Sequence, residues 1–113
     1  MITNSTVRDT ILAEMAKWHA PKNRRQAKQM FNRLADRLIL MFQFAAGMKE
    51  VPTSDMLGQI IAEEVVHGFN DRDSEFERSL KLDVMVQRVV DYMTYFTPKP
   101  NLPGLPGGPK LGT

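Results

Sequence analysis

An all-α fold is predicted for this chain: a four-helix antiparallel bundle over residues 1–97, followed by an extended Pro/Gly-rich C-terminal arm over residues 98–113. Three observations predict it. Apolar residues recur at spacings of three and four through the first part, while sustained period-two alternation is missing. Each periodic segment starts at capping residues and stops near Gly or Pro. The connections are short, which makes sequential helices antiparallel neighbours.

The first helix starts near Asn4, Ser5 or Thr6, where Thr6 followed by Asp9 resembles a capping box, and carries Val7, Ile11, Leu12, Met15 and Trp18 as one stripe until Pro21 ends it. The second starts from Asn23, whose side-chain carbonyl can take up an orphan backbone N–H. It turns Ala27, Met30, Phe31, Leu34, Leu38, Met41, Phe42 and Ala45 inward before Gly47 offers a left-handed residue. The third follows Pro52, Thr53 and Ser54 and buries Met56 or Leu57, Ile60, Ile61, Val65 and Phe69, with Gly68 near its end. The fourth is capped by Asp73 or Ser74 and runs with Phe76, Leu80, Leu82, Met85, Val86, Val89, Met93 and Phe96 inward to the stop at Pro98. In the arm the prolines and glycines exclude a helix or a central strand. Polyproline II repeats every three residues, and Leu102, Leu105 and Leu111 fall on that period, so a docking edge stands against a plain solubilising tail.

A chain of 113 residues with 42% hydrophobic and 25% charged residues has the size and composition of one ordinary folded domain. The chain has no cysteine, which excludes disulfides, thiolate metal sites and a cysteine nucleophile. "MITNSTVRDT" has no basic segment followed by an apolar run, and "LILMFQFAAGM" is too short to span a bilayer, so a soluble, cytoplasmic protein with no membrane partner is expected. Two histidines and serines at Ser5, Ser54, Ser74 and Ser79, all suited to caps or helix surfaces, provide little for nucleophilic catalysis. Glu63, Glu64 and His67 show the carboxylate–histidine spacing of di-iron bundles, but only once. Asp71, Asp73 and Glu75 alternate as in a calcium loop without its turn glycine or its final Glu, and read as a helix cap. No enzyme activity, catalytic residue, metal, cofactor or small-molecule substrate is therefore expected.

Charge is segregated along the chain. Residues 19–46 carry Lys22, Arg24, Arg25, Lys28, Arg33 and Arg37 against Asp36 alone, whereas residues 50–77 carry Glu50, Asp55, Glu63, Glu64, Asp71, Asp73, Glu75 and Glu77 against Arg72 alone. The bases gather at the start of the second helix, where the helix dipole disfavours them. An antiparallel third helix would bring the acids of 70–77 toward Arg24, and this internal pairing is the preferred account. Net charge is only +2, whereas phosphate binding works through unbalanced positive surface. The alternative is a nucleic-acid or acidic-partner contact through Lys17, Trp18, Lys22, Arg24, Arg25 and Lys28, with Trp18 or His19 stacking on a base.

Pairing leaves the apolar surplus unexplained. Across "LILMFQFAAGM" only Gln43 is polar, and the fourth helix adds Val84, Val90, Tyr92 and Tyr95 beyond its main stripe. Surfaces of this kind on a folded domain meet another chain. The expectation is a non-enzymatic interaction or assembly subunit, binding a protein partner or further copies of itself through Ile39, Leu40, Phe44, Met48, Tyr92 and Tyr95 and through Leu102, Leu105 and Leu111 of the arm. A small nucleic-acid-binding or nucleoprotein-assembly factor, and an inhibitor filling a partner's groove, are the alternatives.

Overall fold

The computed structural model describes residues 2–97; the arm, including Leu102, Leu105 and Leu111, lies outside the described residues. Four helices follow one another: α1 (Asn4–Met15), α2 (Arg24–Ala45), α3 (Ser54–Gly68) and α4 (Glu75–Thr94). Each begins where an extended residue turns its side-chain oxygen onto a backbone N–H of the first turn. Thr3 accepts from the Thr6 N–H at 3.2 Å, Asn23 from Gln26 at 2.9 Å and Thr53 from Met56 at 3.2 Å. Ser74 and Glu77 form a full capping box, with reciprocal bonds of 3.1 and 3.0 Å. The first cap is thus Thr3, not Thr6: the Thr6 N–H is the group being capped.

The helix ends are equally local. Gly47 at φ +68° turns the chain so that the Met48 N–H joins the Ala46 N–H on the Phe42 carbonyl, both at 3.2 Å. α1 stops at Met15, well before Pro21, and two tight turns from Lys17 and Trp18 back to Glu14 and Met15 carry the chain on to Trp18.

Side-chain bonds between helices define the packing. Thr10 meets Met41 and Glu14 meets Arg37, so α1 and α2 are antiparallel; Asn4 meets Gln87 and Arg8 meets Ser79 and Asp83, so α1 and α4 are antiparallel too. α2 and α4 consequently run in the same direction. Each packs on α1 and α3, which places the two on a diagonal of the bundle. The core between the four is formed by Val7 and Ile11, by Leu34, Ala35, Leu38, Ile39 and Phe42, by Leu57 and Ile61, and by Leu82, Met85, Val86, Val89 and Met93.

Several positions depart from the expected stripes. Leu12, Ala45, Phe76 and Leu80 are exposed, Leu57 and not Met56 takes the buried place at the start of α3, and Glu14 enters the core. Ile39 is only 8% exposed and belongs to the domain's own core, so it is withdrawn from the candidate interface. Gly58 is buried where α3 crosses α2, and a Cβ there would collide with the Asn32 side chain, whose amide donates to Asp55 at 2.6 Å. The absence of a side chain at residue 58 lets the two helices approach.

Candidate functional site

The basic start of α2 does not receive the acids of 70–77. Residues 46–53 run back along α2, and α3 begins only beside Asp36 and Asn32, where Ser54 bonds Asp36 and Asp55 accepts from Asn32. Ala62 is already level with Arg24 and Ala27, and the last turn of α3 therefore overshoots the start of α2. Residues 69–71 arrive at the end of α1, where Leu12, Met15 and Trp18 share a cleft of about 590 Å³ with Phe69, Asn70 and Asp71.

Two of the acids there, Asp73 and Glu77, are tied to their own helix start. Lys81 bonds Asp73 at 2.6 Å, and the Asn70 N–H adds a second bond at 2.8 Å; the ammonium first and the backbone N–H second hold the Asp73 carboxyl below the usual carboxylate range. The Ser74 backbone N–H, and then its hydroxyl, do the same for Glu77. The unfolded chain therefore binds more protons than the folded one as pH falls through this range. Stability from the two groups is complete above the ordinary carboxylate pKa of about 4 and is lost as pH drops below it. An Asp73→Asn/Glu77→Gln variant is expected to melt earlier at neutral pH and to show a shallower acid decline of melting temperature than the parent. Parallel melting-temperature curves for the two proteins would refute this assignment.

At the start of α2 itself, Lys22, Arg24 and Arg25 are exposed and form no ion pair among the described residues. Lys28 reaches Asp55 at 3.8 Å across open surface, a contact worth at most about 1 kcal/mol. Lys17 lies 3.9 Å from Glu14. Trp18 is no open stacking platform: its ring stands edge-on to Phe31 at 5.5 Å, and its indole N–H is buried without a partner among the described residues. Glu63 and Glu64 are both engaged by Arg88 of α4, the former at 3.3 Å, and His67 is exposed. Among the described residues no group of three His, Asp or Glu side chains is placed to hold a metal. No described helix is long and apolar enough to cross a membrane.

The apolar candidates separate into two faces. On α2, Leu40 is half-exposed and Phe44 is 83% exposed; one turn apart, they point away from the core that Leu38 and Phe42 enter. Met48, just beyond, is half-buried against the core. At the end of α4, Tyr95 is 79% exposed, while Tyr92 is half-buried with its ring 5.9 Å from Phe96, and burial pushes its phenol pKa up. The larger α4 feature lies nearer its start. Phe76 (71% exposed), Leu80 and Val84 are each one turn apart on the side opposite Leu82, Met85 and Val89.

Reading by sequence put Phe76 and Leu80 inward because it merged two stripes into one. The i, i+4, i+8 spacing of Phe76, Leu80 and Val84 was the available signal. Residues so spaced cannot share the face of Leu82, Met85 and Val89, since they differ by roughly half a turn at 100° per residue. No protein-family model, no curated protein and no solved structure matches this chain, so the reading of its function rests on these two faces and on the unpaired bases.

Proposed function

We propose that this chain is a non-enzymatic protein–protein interaction or assembly subunit. The observation that supports the reading is the solvent-facing set Leu40, Phe44, Phe76, Leu80 and Val84, large apolar side chains aligned along two helices and left uncovered by the described bundle. Single exposed apolar residues are ordinary on a protein surface; aligned runs on the far side of helices from the core serve association. Residues 98–113 extend the proposal as an arm that would add its leucines to the partner.

The test compares Leu40→Ser/Phe44→Ser and Phe76→Ser/Leu80→Ser with the parent. Both variants are expected to keep the parental melting temperature to within a few degrees, since exposed substitutions away from special contacts change stability by about 0.5 kcal/mol or less. At least one is expected to lose association with itself or with a protein recovered from nuclease-treated extract. Parent and variants that bind no protein alike would end the proposal.

A second reading is favoured by Lys22, Arg24 and Arg25, which stand exposed without ion pairs among the described residues. Tight nucleic-acid binding with a steep salt dependence, lost in a Lys22/Arg24/Arg25/Lys28 quadruple alanine variant, would put a nucleoprotein-assembly factor in its place.

A further inference from the structure

A groove follows the seam between α1 and α4. It opens as a recess of about 320 Å³ between Asn4 and Gln87. Past Arg8, which borders both, it widens into the cleft of about 590 Å³ at the end of α1. Leu12, Met15, Trp18, Val65, Phe69 and Leu82 make that cleft mostly apolar. Two residues on its border each hold a buried N–H that finds no acceptor among the described residues: the Trp18 indole, and Arg8 Nε, which lies 3.4 Å from an Asp83 oxygen without bonding it. Buried donors in folded proteins almost always have an acceptor. An occupant suited to this groove therefore brings apolar side chains together with free carbonyls. At the far end Asp71 and Glu75 are exposed and make no ion pair among the described residues, while Arg78 beside them donates to the Asp71 carbonyl at 3.4 Å.

We infer that the occupant is residues 98–113 of the same chain, laid back along the α1–α4 seam. Pro98, Pro100, Pro103, Pro106 and Pro109 each keep a carbonyl while giving up the N–H, and a polyproline II segment makes no internal hydrogen bonds, so its carbonyls are free to accept. Segments of this kind dock in aromatic-lined grooves, and Trp18 and Phe69 supply the aromatic wall. The reach fits as well. Counted back from Thr94, the last residue of α4, the helix covers about 10 Å to Gln87 and about 22 Å to Ser79. Counted forward from Thr97, polyproline II covers about 15 Å to Leu102 and about 25 Å to Leu105. Leu102 thus comes to the recess at Val86 and Gln87, Leu105 comes to the cleft at Ser79 and Leu82, and Lys110 continues toward Asp71 and Glu75. The inference draws on neither of the exposed apolar faces, so it and the interaction-subunit reading can fail separately. An arm held here reaches a partner only by leaving the groove.

The full chain allows a direct test by nuclear magnetic resonance. Trp18 is the only tryptophan, so its indole N–H gives a single signal, and the absence of cysteine lets a nitroxide be attached to the arm alone through Gly107→Cys. The label is expected to broaden the amide signals of Arg8, Leu12 and Ser79 and the Trp18 indole signal severalfold more than those of Leu40 and Phe44. Leu102→Ser/Leu105→Ser in the labelled chain should abolish that difference and shift the indole signal. Both substitutions lie in the arm, and circular dichroism establishes that the bundle stays folded. When isotope-labelled chain without nitroxide is mixed with nitroxide-labelled chain without isotope, no selective broadening is expected, because each arm occupies its own groove.

Selective broadening of the same signals in the mixture would overturn the inference in favour of an arm donated by a neighbouring copy. Broadening that is spread evenly or centred elsewhere overturns it too, as does an indole signal indifferent to the loss of the two leucines. None of these outcomes bears on association through Leu40 and Phe44 or through Phe76 and Leu80, which stands on its own test.

Discussion

Leu38→Ala is expected to lower the melting temperature more than any exposed substitution in the chain. Leu38 is fully buried at the middle of α2, among side chains from a core to which all four helices contribute. Truncation removes the transfer free energy of the lost carbons and leaves a cavity that the helices close only partly, a cost of about 2–5 kcal/mol. A domain of this size has roughly 5–15 kcal/mol of stability in all. Each kcal/mol shifts the midpoint by about 4–8 °C, so a drop of at least roughly 10 °C is expected in a calorimetric or circular-dichroism melt. Phe76→Ala is the control. The residue is larger, but its ring is 71% exposed, and its loss should cost about 0.5 kcal/mol or less. Equal effects at the two positions would mean that the core lies elsewhere on α4.

An asymmetry is expected at the buried carboxylate. Glu14 is only 3% exposed, with the Arg37 guanidinium at 3.4 Å and the Lys17 ammonium at 3.9 Å, both partners reaching it from the surface. Removing Arg37 strands the carboxylate with the weaker partner, and Arg37→Ala should destabilise by roughly 1–3 kcal/mol, below the full cost of an unpaired buried ion because Arg37 is itself half-exposed. Glu14→Met removes the charge and keeps the volume. Replacing a buried ion pair by apolar atoms is often neutral or favourable, so this variant should match the parent or exceed it. The double variant should then show that Arg37→Ala costs little once Glu14 is gone. If Glu14→Met proved the more damaging single change, the carboxylate would have a role beyond pairing with Arg37 and Lys17.

The same comparison is open to the charged surface. Arg25 and Glu75 make no contact with each other, so Arg25→Glu and Glu75→Arg should act additively on stability. Internal neutralisation of the α2 start, inferred from the order of charges along the chain, required α3 to begin at the end of α2. Residues 46–53 instead retrace part of that helix first, and this shift carries the acids past the bases to the end of α1. Nothing in the order of charges records the length of a returning segment.

What the sequence determined by itself was whatever depends on neighbours in the chain. Four helices, the cap at Asn23, a start at Thr53 or Ser54 and another at Asp73 or Ser74, the left-handed Gly47, and the buried Leu34, Leu38, Ile61, Met85 and Val89 all follow from spacings of three and four and from single-residue backbone preferences. Periodicity says that a helix has an apolar side, but not where that side ends. Only the tertiary structure decided that Ile39 faces in and Leu40 out, that Phe76 and Leu80 face solvent, and that Glu14 fills a core position beneath Arg37. The boundary of each buried face is drawn by how closely and at what height the next helix approaches. That approach is governed by contacts such as Asn32 against Gly58 and Ser54 against Asp36, between residues far apart in the chain, which no local pattern can encode.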